Sequence, residues 1–487
     1  MGFTIVLREL SATLPSSCCP VRYRVESLLL MMMPTRSTIT LAAIIAAALA
    51  LPAGATAAPE VRPGQLIVGY DQTTSAGQQD RIATQAGTNP GRQISPTSQV
   101  VKLEPGESTA AALKRLRASD GVSYAVRNVV AHASAWLPND SINSGPWSHT
   151  QWNFLSKSGI DALGAWRNLI AAHRTAGAGV KIAVVDTGVA YRDWGNFRRS
   201  PDFKGTSFAA PHDFVANNAY PLDRAGHGTH VAGTIGEQTN NGIWLTGIAY
   251  KATIIPVRVL DANGEGDSAQ IALGIRWAAN HGAKIINLSL EFTPDTIAAD
   301  IPDIISAIDY ATNKGSLVIG AAGNDRARAA SYPARATNAI AVGATTEHRC
   351  LADYSNYGRG IDIVAPGGGS DRNLPSDAHC RPNDAPGGDI TQVSLATVGM
   401  TSTISTKRFI LDSQDGTSMA APHVSATAAL VVASGVIGSN PTPAQLRSRL
   451  LRSADPMGTS NMTLSHRRDY YGAGLLDAAR ATSRSFR

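Results

Sequence analysis

The sequence predicts an α/β fold: a mostly parallel sheet with helices on both faces, preceded by a small α+β unit. The main observation is a set of short, almost continuously apolar segments, which are typical of strands buried on both faces. These segments are residues 180–185, 254–260, 284–290 and 316–321. Helical patterns at residues 268–281 and 301–314 alternate with them. This alternation indicates a parallel sheet, because parallel strands need crossover connections and these are usually helices.

The chain divides by composition into a small N-terminal unit, a connection and a main domain. Residues 58–132 are predicted to form the small unit, in which short strand and helix patterns alternate. Residues 133–150 are polar and predict a linker. The main domain is then 151–487, and its Gly- and Pro-rich stretch at 367–388 predicts a surface insertion.

Residues 1–57 carry the features of an export signal. Arg36 precedes an apolar stretch at 41–51, and small residues at 55–57 supply a cleavage site. The stretch is too short for a membrane-spanning helix, which needs about 20 apolar residues. The chain is therefore expected to be secreted, through a periplasm if the cell has one, with no membrane span after signal removal. A start at one of the methionines at 31–33 would give a more conventional signal.

Charge and composition exclude some functional classes. The chain is 43% hydrophobic and 16% charged, which suits a globular protein with a large core. Its net charge of +6 is spread over 487 residues without a run of five basic residues. Nucleic acid is therefore not an expected partner.

Two of the four cysteines are expected to remain in the exported protein. Cys18 and Cys19 leave with the signal or precede the true start. Cys350 and Cys380 remain, and an even number in an exported chain indicates a disulfide between them. Two separate buried thiols are the alternative. A zinc site is not expected, because the pair lacks a compact set of further His or Cys ligands.

Four segments carry residues suited to nucleophilic catalysis. Asp186 follows an apolar strand, at the edge where open α/β sheets place their sites. His227 lies in Gly-His-Gly-Thr-His, and Ser418 begins an apolar helix in Gly-Thr-Ser-Met-Ala. A serine hydroxyl needs an imidazole base, and a carboxylate must orient that base. Asn324 follows a strand in Gly-Ala-Ala-Gly-Asn and could donate to an oxyanion, together with the Ser418 backbone N–H.

Each segment alone is weakly diagnostic, but their order is specific. The order Asp, His, Ser, with the amide donor between His and Ser, is that of subtilisin. An esterase of the α/β-hydrolase type would need Gly-x-Ser-x-Gly and a serine that comes first. An aspartic protease would need a second Asp-Thr/Ser-Gly block. A non-catalytic binding protein is the other alternative, and loss of one of the four residues would favour it.

Residues 150–482 resemble the catalytic domain of the subtilisin family, the subtilases. Besides the four segments above, the resemblance rests on residues 285–290, 341–344, 365–368 and 471–478. It implies a serine endopeptidase that works through an acyl-enzyme. Asp186 would orient the base, His227 would act as general base and then acid, and Ser418 would be the nucleophile. Asn324 would bind the oxyanion.

The resemblance also implies a precursor and its partners. Residues 60–132 resemble the family's propeptide, which helps the catalytic domain to fold and inhibits it until cleaved. Self-processing is expected between His132 and Ser148. The expected partners are protein or peptide substrates and the chain's own propeptide, and the enzyme is expected to be a monomer. No cofactor is needed for the chemistry, and His230 and His423 are expected to be structural.

By analogy with the family, two strand-edge segments flank an extended substrate. They are Gly264-Glu265-Gly266 and Ser289-Leu290-Glu291, and Ala322 and Gly323 are expected to bind substrate near Asn324. Where this chain has Glu291, the family often has glycine. The two glutamates predict a preference for Lys or Arg on the acyl side of the scissile bond. Glutamates that point to solvent and are screened are the alternative.

A structural calcium ion is the one metal that the resemblance implies. Asp202 lies in a Pro-Asp-Phe segment like one that supplies a calcium carboxylate in the family. Asn240 and Asn241 lie in a loop like the family's second contributor. Oxygen ligands of this kind suit a hard cation. An ordinary Asx-rich turn is the alternative.

Overall fold

The computed structural model describes residues 61–129, 136–142, 145–398 and 403–486. The chain divides into two compact units, Met1–His132 and Ala133–Arg487. The predicted export segment lies outside the described residues. Within the described ranges, no helix combines the length and the apolar character needed to cross a bilayer.

The first unit is a four-stranded antiparallel sheet with two helices. Its elements are β1 (Val61–Tyr70), α1 (Ala76–Gln85), β2 (Thr88–Ser95), β3 (Ser98–Leu103), α2 (Thr109–Ala118) and β4 (Val122–Val129). The strand order is β2-β3-β1-β4, and Leu66, Val68 and Leu116 lie in the core. The sequence pattern does not indicate β2, because that strand is polar and contains Pro and Gly. Such a composition is tolerated in an edge strand.

The described part of the predicted linker packs into the second unit. Its short strands β5 (Ser141–Ile142) and β6 (Gly145–Pro146) pair with each other. Trp136 packs edge-on against Trp166, with ring centroids 5.8 Å apart, and Trp147 is 1% exposed. This stretch is polar on average, but it contains two tryptophans, and each of them can bury a large apolar area. These aromatic contacts fasten the segment to the domain that follows.

The second unit is built on a parallel sheet. Its strands are β7 (Lys181–Asp186), β8 (Ser207–Phe208), β9 (His212–Asp213), β10 (Thr253–Arg258), β11 (Ile285–Leu288), β12 (Leu317–Ala321), β13 (Ala339–Thr345) and β14 (Ile363–Pro366). The order is β14-β13-β12-β11-β7-β10-β8, and β9 also pairs with β10. All of these pairs are parallel. The carboxyl ends of β7, β11 and β12 therefore meet at one edge of the sheet.

Helices cover both faces of this sheet. They are α3 (Ala162–Ala171), α4 (His227–Gly236), α5 (Ser268–Asn280), α6 (Pro302–Asn313), α7 (Thr417–Ser434), α8 (Pro443–Ser453), α9 (Leu464–Tyr471) and α10 (Ala478–Thr482). Ile182 and Val184 of β7 belong to the core that contains α4 and α7. Ala183 and Val185 belong to the core that contains α5 and α6. Alternate residues of a strand face opposite sides, so the predicted fold class is confirmed.

Two features lie between β14 and α7. The predicted insertion at 367–388 is tied down by a disulfide between Cys350 and Cys380, whose Cα atoms are 4.9 Å apart. A hairpin follows, with strands β15 (Ile390–Val398) and β16 (Thr403–Gln414). The hairpin contacts the start of α4, because Ser394 Oγ donates to the carbonyl of Gly226 at 2.8 Å.

Candidate active site

Asp186 and His227 form a directly bonded pair at the carboxyl edge of the sheet. Asp186 is the last residue of β7 and is fully buried, and His227 is the first residue of α4. The His227 Nδ1 atom lies 2.7 Å from Asp186 Oδ1. The same oxygen accepts a hydrogen bond from the backbone N–H of Thr187 at 2.7 Å. An Nδ1–H donor leaves Nε2 unprotonated and able to accept a proton.

Glycines allow α4 to approach β7 this closely. Gly226 precedes the helix with a φ of 94°, in the left-handed region that favours glycine. A Cβ atom on Gly228 would lie 2.1 Å from the carbonyl oxygen of Gly188 and 3.0 Å from Asp186 Oδ1. The Gly-His-Gly sequence is therefore required by the close contact between helix and strand.

Asp223, which no sequence motif indicated, also holds the start of α4 in place. This carboxylate is 1% exposed and accepts hydrogen bonds from the backbone N–H groups of Gly226 and Thr229, each at 2.9 Å. It also accepts from the hydroxyl of Thr187 at 2.9 Å. An Asp just before a helix start is a common N-terminal signal, and its position four residues before His227 could have identified it.

Two opposing effects act on the pKa of His227. Burial lowers the pKa, whereas the charge of the Asp186 carboxylate and its hydrogen bond raise it. The charge of Asp223 adds to the effect of Asp186, and together they hold the pKa of His227 above its ordinary value of 6.5. The neutral, proton-accepting form of the imidazole is therefore lost as the pH falls through this raised pKa.

Ser418 lies in the first turn of α7 and faces the same cavity as His227. Its side chain is half-buried. The Ser418 hydroxyl donates to the backbone carbonyl of Ser289 at 3.2 Å, and the Ser289 hydroxyl donates to the Ser418 carbonyl at 2.7 Å. Among the described contacts, the Ser418 hydroxyl therefore bonds to Ser289 and not to His227. The N-terminal end of α7 also favours negative charge that develops on the serine oxygen.

The side chain of Asn324 is held by Thr417 and points its amide toward Glu291. Asn324 Oδ1 accepts from the backbone N–H of Thr417 at 2.9 Å and from the Thr417 hydroxyl at 3.0 Å. Its Nδ2 donates to Glu291 Oε1 at 3.3 Å. The Asn324 carbonyl is thus used for positioning, and its Nδ2 bonds to the Glu291 carboxylate.

One cleft of about 750 Å³ brings most of the predicted residues together. Its walls include Gly264, Glu265, Gly266, Ser289, Leu290 and Glu291, together with His227 and Ser418. Gly323 borders the Glu291 carboxylate. Ala322 is fully buried, and its N–H donates to the carbonyl of Val342 at 3.0 Å. Ala322 therefore supports the wall from behind, without lining the cleft.

The two glutamates of the cleft differ in their surroundings. Glu265 is exposed. Glu291 also keeps an exposed face, but its carboxylate accepts from the backbone N–H of Asn324 at 3.1 Å. Desolvation by the cleft walls, aided by the negative charge of Asp325, raises the pKa of Glu291 to about 7. The Glu291 side chain is therefore directed at the predicted oxyanion donor.

His230 and His423 lie beside the triad segments and are fully buried. His230 Nε2 donates to the carbonyl of Ile390 at 3.0 Å, and His423 Nδ1 donates to the carbonyl of Met419 at 2.8 Å. His423 Nε2 lies 2.7 Å from the Asn153 amide. Burial lowers the pKa of each histidine to about 4. Both histidines are thus neutral hydrogen-bonding residues of the core.

Of the residues predicted to hold calcium, Asp202 and Asn241 are hydrogen-bonded to each other, and Asn240 is bonded elsewhere. Asn241 Nδ2 donates to Asp202 Oδ1 at 2.7 Å, whereas Asn240 Oδ1 accepts from the backbone N–H of Asn139. Asp140, which no sequence motif indicated, accepts from the backbone N–H of Asn241 at 2.8 Å. Burial, together with the negative charge of Asp140, raises the pKa of Asp202 to about 7.

Comparison with known sequences agrees with this geometry. The model of the subtilase family matches residues 177–474, and the model of the fervidolysin N-terminal prodomain matches residues 50–128. Subtilisin Savinase from Lederbergia lenta is 37% identical over 314 residues, which cover 64% of this chain and 94% of that protein. A thermophilic serine proteinase from Bacillus sp. (strain AK1) is 33% identical over 375 residues, which cover 76% and 78% of the two chains.

Comparison with solved structures leads to the same family. A protease from Pseudoalteromonas arctica aligns with 71% of this chain and 98% of its own, with a TM-score of 0.54 and 28% sequence identity. The family match covers more than half of the chain, and the N-terminal match adds a prodomain. The chain therefore belongs to the subtilase family and is a serine endopeptidase with an N-terminal prodomain.

Proposed function

We propose that this protein hydrolyses peptide bonds through a triad of Asp186, His227 and Ser418, with Asn324 as oxyanion donor. The observation that carries the proposal is the 2.7 Å contact between Asp186 and His227 beside a cleft that His227 and Ser418 both line. The Asn324 amide is held by Thr417 and donates to Glu291, which lines the same cleft. A nucleophile, an oriented base and an oxyanion donor are the parts that acyl transfer requires.

The chemistry follows from these groups. Ser418 Oγ attacks the substrate carbonyl carbon and passes its proton to His227 Nε2, while Asp186 stabilises the imidazolium. Asn324 Nδ2 and the Ser418 N–H donate to the resulting oxyanion. The C–N bond then breaks, and the proton moves from His227 to the leaving amine. A water molecule then attacks the acyl-enzyme in the same way, with His227 again as base and then acid. The carboxylic acid is released and the Ser418 hydroxyl is restored.

The proposal is tested by covalent labelling of the mature protein. An organophosphorus fluoride should form an ester with Ser418 Oγ and release fluoride, because the activated serine attacks phosphorus as it attacks a carbonyl. Mass spectrometry of the digested protein should locate the adduct on the peptide that contains Ser418. Labelling should decrease as the pH falls through the raised pKa of His227. An adduct on another serine, or none at all, would contradict the assignment.

We also propose that the enzyme is secreted as an inhibited precursor and matures by its own activity. The export signal, the prodomain and the disulfide between Cys350 and Cys380 support this. Cleavage after Trp136 would separate a half-buried aromatic side chain from the ring of Trp166. We therefore place the maturation site before Trp136, in the N-terminal part of the predicted linker. The mature enzyme is proposed to act as a monomer on protein or peptide substrates.

A structural calcium ion is proposed at Asp202 and Asn241. Asp140, Asp202 and Glu237 are at most 1% exposed, and within the described part of the chain none of them pairs with Lys or Arg. Unpaired buried carboxylates are costly, and a cation would offset this cost. Among the described residues, no three His, Cys, Asp or Glu side chains converge as a metal cluster. The ligands would therefore be Asp202 with amide and backbone oxygens, which suits calcium.

Chelation should lower the thermal stability of the mature enzyme. At a free calcium concentration about 100 times Kd, the ion would contribute about 2.7 kcal/mol, which corresponds to a midpoint shift of about 5 °C. Scanning calorimetry of the inhibited enzyme with calcium and with EGTA measures this shift. Asp202→Asn should remove the dependence on calcium. Equal midpoints in the wild type under both conditions would argue against a bound ion.

A further inference from the structure

Glu291 occupies the part of the cleft that lies next to the proposed reaction centre. It follows β11 directly after Ser289 and Leu290, and the carbonyl of Ser289 accepts the hydroxyl of Ser418. Its carboxylate reaches across the cleft to the segment after β12. A Cβ atom on Gly323 would lie 2.3 Å from Glu291 Oε2, and the backbone N–H of Asn324 donates to that same oxygen at 3.1 Å. The carboxylate thus bridges the two segments.

The side chain on the acyl side of the scissile bond must enter this space. If Asn324 binds the carbonyl oxygen under attack, the α-carbon of that substrate residue is only one bond from the carbonyl carbon. Its side chain therefore begins beside Asn324. There it lies between the segment that ends at Glu291 and the segment that begins at Gly323. Glu291 is the charged group that already contacts Asn324 there. It is within reach of a long side chain at this substrate position, termed P1.

We infer that Glu291 selects substrates with Lys or Arg at P1, and that it restrains the amide of Asn324 until such a side chain displaces it. The inference rests on the proposed function of Asn324 and Ser418. In the free enzyme, one of the two N–H groups of Asn324 Nδ2 donates to Glu291 Oε1, and this bond restrains the orientation of the amide. A cationic P1 side chain offers the carboxylate a stronger partner than a neutral amide does. Pairing with that side chain releases the amide for the carbonyl oxygen.

The charges around Glu291 favour a cationic partner. Asp325 adds negative charge from the loop after β12, and Glu265 lines the same cleft from the loop after β10. His227 is the titratable group that α4 presents to the cleft. Among the described residues that line the cleft, none is Lys or Arg. A Lys or Arg at P1 would therefore supply the positive charge that this region lacks.

Because Glu291 titrates, the preference for a cationic P1 side chain should depend on pH. Desolvation raises the pKa of this carboxyl to about 7, so its neutral form dominates below that pH. Ionisation above pH 7 strengthens the attraction for a cationic P1 side chain. With a neutral P1 side chain, the same ionisation leaves a negative charge beside the forming oxyanion. The ratio of kcat/KM for cationic over neutral P1 should therefore rise through pH 7.

The test compares two peptides that differ only in Lys or Met at P1, at pH 6 and pH 8.5. For the wild type, the Lys/Met ratio of kcat/KM should be about tenfold higher at the higher pH, as expected for an ion pair that is partly screened by solvent. Glu291→Gln should remove both the preference and its pH dependence. Glu291→Ala should also raise kcat for the Met peptide at pH 8.5, because the amide of Asn324 is freed.

The control variant is Asp295→Asn, which removes an exposed negative charge four residues from Glu291 and outside the cleft. It should keep the wild-type ratio at both pH values. An unchanged Lys/Met ratio in Glu291→Gln would overturn the selection of cationic P1 side chains. An unchanged kcat for the Met peptide in Glu291→Ala would overturn the restraint on Asn324. Failure of the proposed function would look different, because the wild type would then hydrolyse neither peptide.

Discussion

Ser418→Ala is expected to lower kcat for peptide hydrolysis by about 10⁶-fold, which is the size of the loss measured when the nucleophile of subtilisin is removed. Without the hydroxyl, His227 and Asp186 have no proton to remove, so the triad fails as a unit. Binding and the oxyanion donors remain and leave a small residual rate over water. The measurement is single-turnover and steady-state hydrolysis of a fluorogenic peptide by protein refolded with its prodomain.

The fold should survive this change. Ser418 is half-buried, and its hydroxyl donates to the carbonyl of Ser289, which lies at the edge of the cleft. The thermal midpoint of the inhibited wild type and that of the variant should agree closely. Ser448→Ala, on the exposed side of α8, provides the matched control and should keep full activity. Activity near the wild-type level in Ser418→Ala would end the assignment of the nucleophile.

The same variant reports on maturation. If the precursor is cleaved by its own triad, Ser418→Ala should remain at the precursor mass after purification. Catalytic amounts of wild-type enzyme should then convert it to the mature mass if cleavage between molecules is allowed. N-terminal sequencing of the wild-type product should place the new terminus before Trp136. A variant that matures with no other protease present would show that processing is not autocatalytic.

The parts of the fold that the sequence predicts well are those where burial leaves a clear pattern. Strand β7 contains the apolar run Ile-Ala-Val-Val because helices cover both of its faces. None of these four side chains faces solvent, so the run shows no polar alternation. Asp186, His227 and Ser418 were identifiable because glycine-rich or small-residue sequences surround them. Those sequences have a structural cause, since Gly228 leaves no room for a Cβ atom beside Gly188.

The parts that the sequence does not predict depend on long-range contacts. The hairpin of β15 and β16 is rich in Ser and Thr, and it contacts α4 through Ser394 and Gly226, 168 residues apart in the chain. The direction of Glu291 is likewise set by Asn324, 33 residues further on. Residue types alone left open whether this glutamate faces solvent or the reaction centre. The packing of β11 against β12 determines it.

Asn324→Ala is the second variant for which a large effect is expected, with kcat reduced by about 10²–10³-fold and KM changed little. That magnitude was measured for the corresponding asparagine of subtilisin. The donor acts on charge that exists only in the transition state, so substrate binding should be spared. Steady-state kinetics at pH 8.5 with the P1 Lys peptide measures both constants. Asn338→Ala, an exposed asparagine that donates to Asp309, should leave them unchanged.

Two further measurements separate a catalytic role of Asn324 from a structural one. The alanine variant also deprives the buried Thr417 backbone N–H of its acceptor, which could cost about 1–3 kcal/mol of stability. A fall in thermal midpoint with unchanged kcat would therefore assign Asn324 to structure alone.

The second measurement combines Asn324→Ala with Glu291→Ala. If Glu291 acts by restraining the Asn324 amide, the gain in kcat that Glu291→Ala gives with a neutral peptide should vanish in the double variant. A gain that persists without Asn324 would mean that Glu291 acts on the oxyanion through its charge alone.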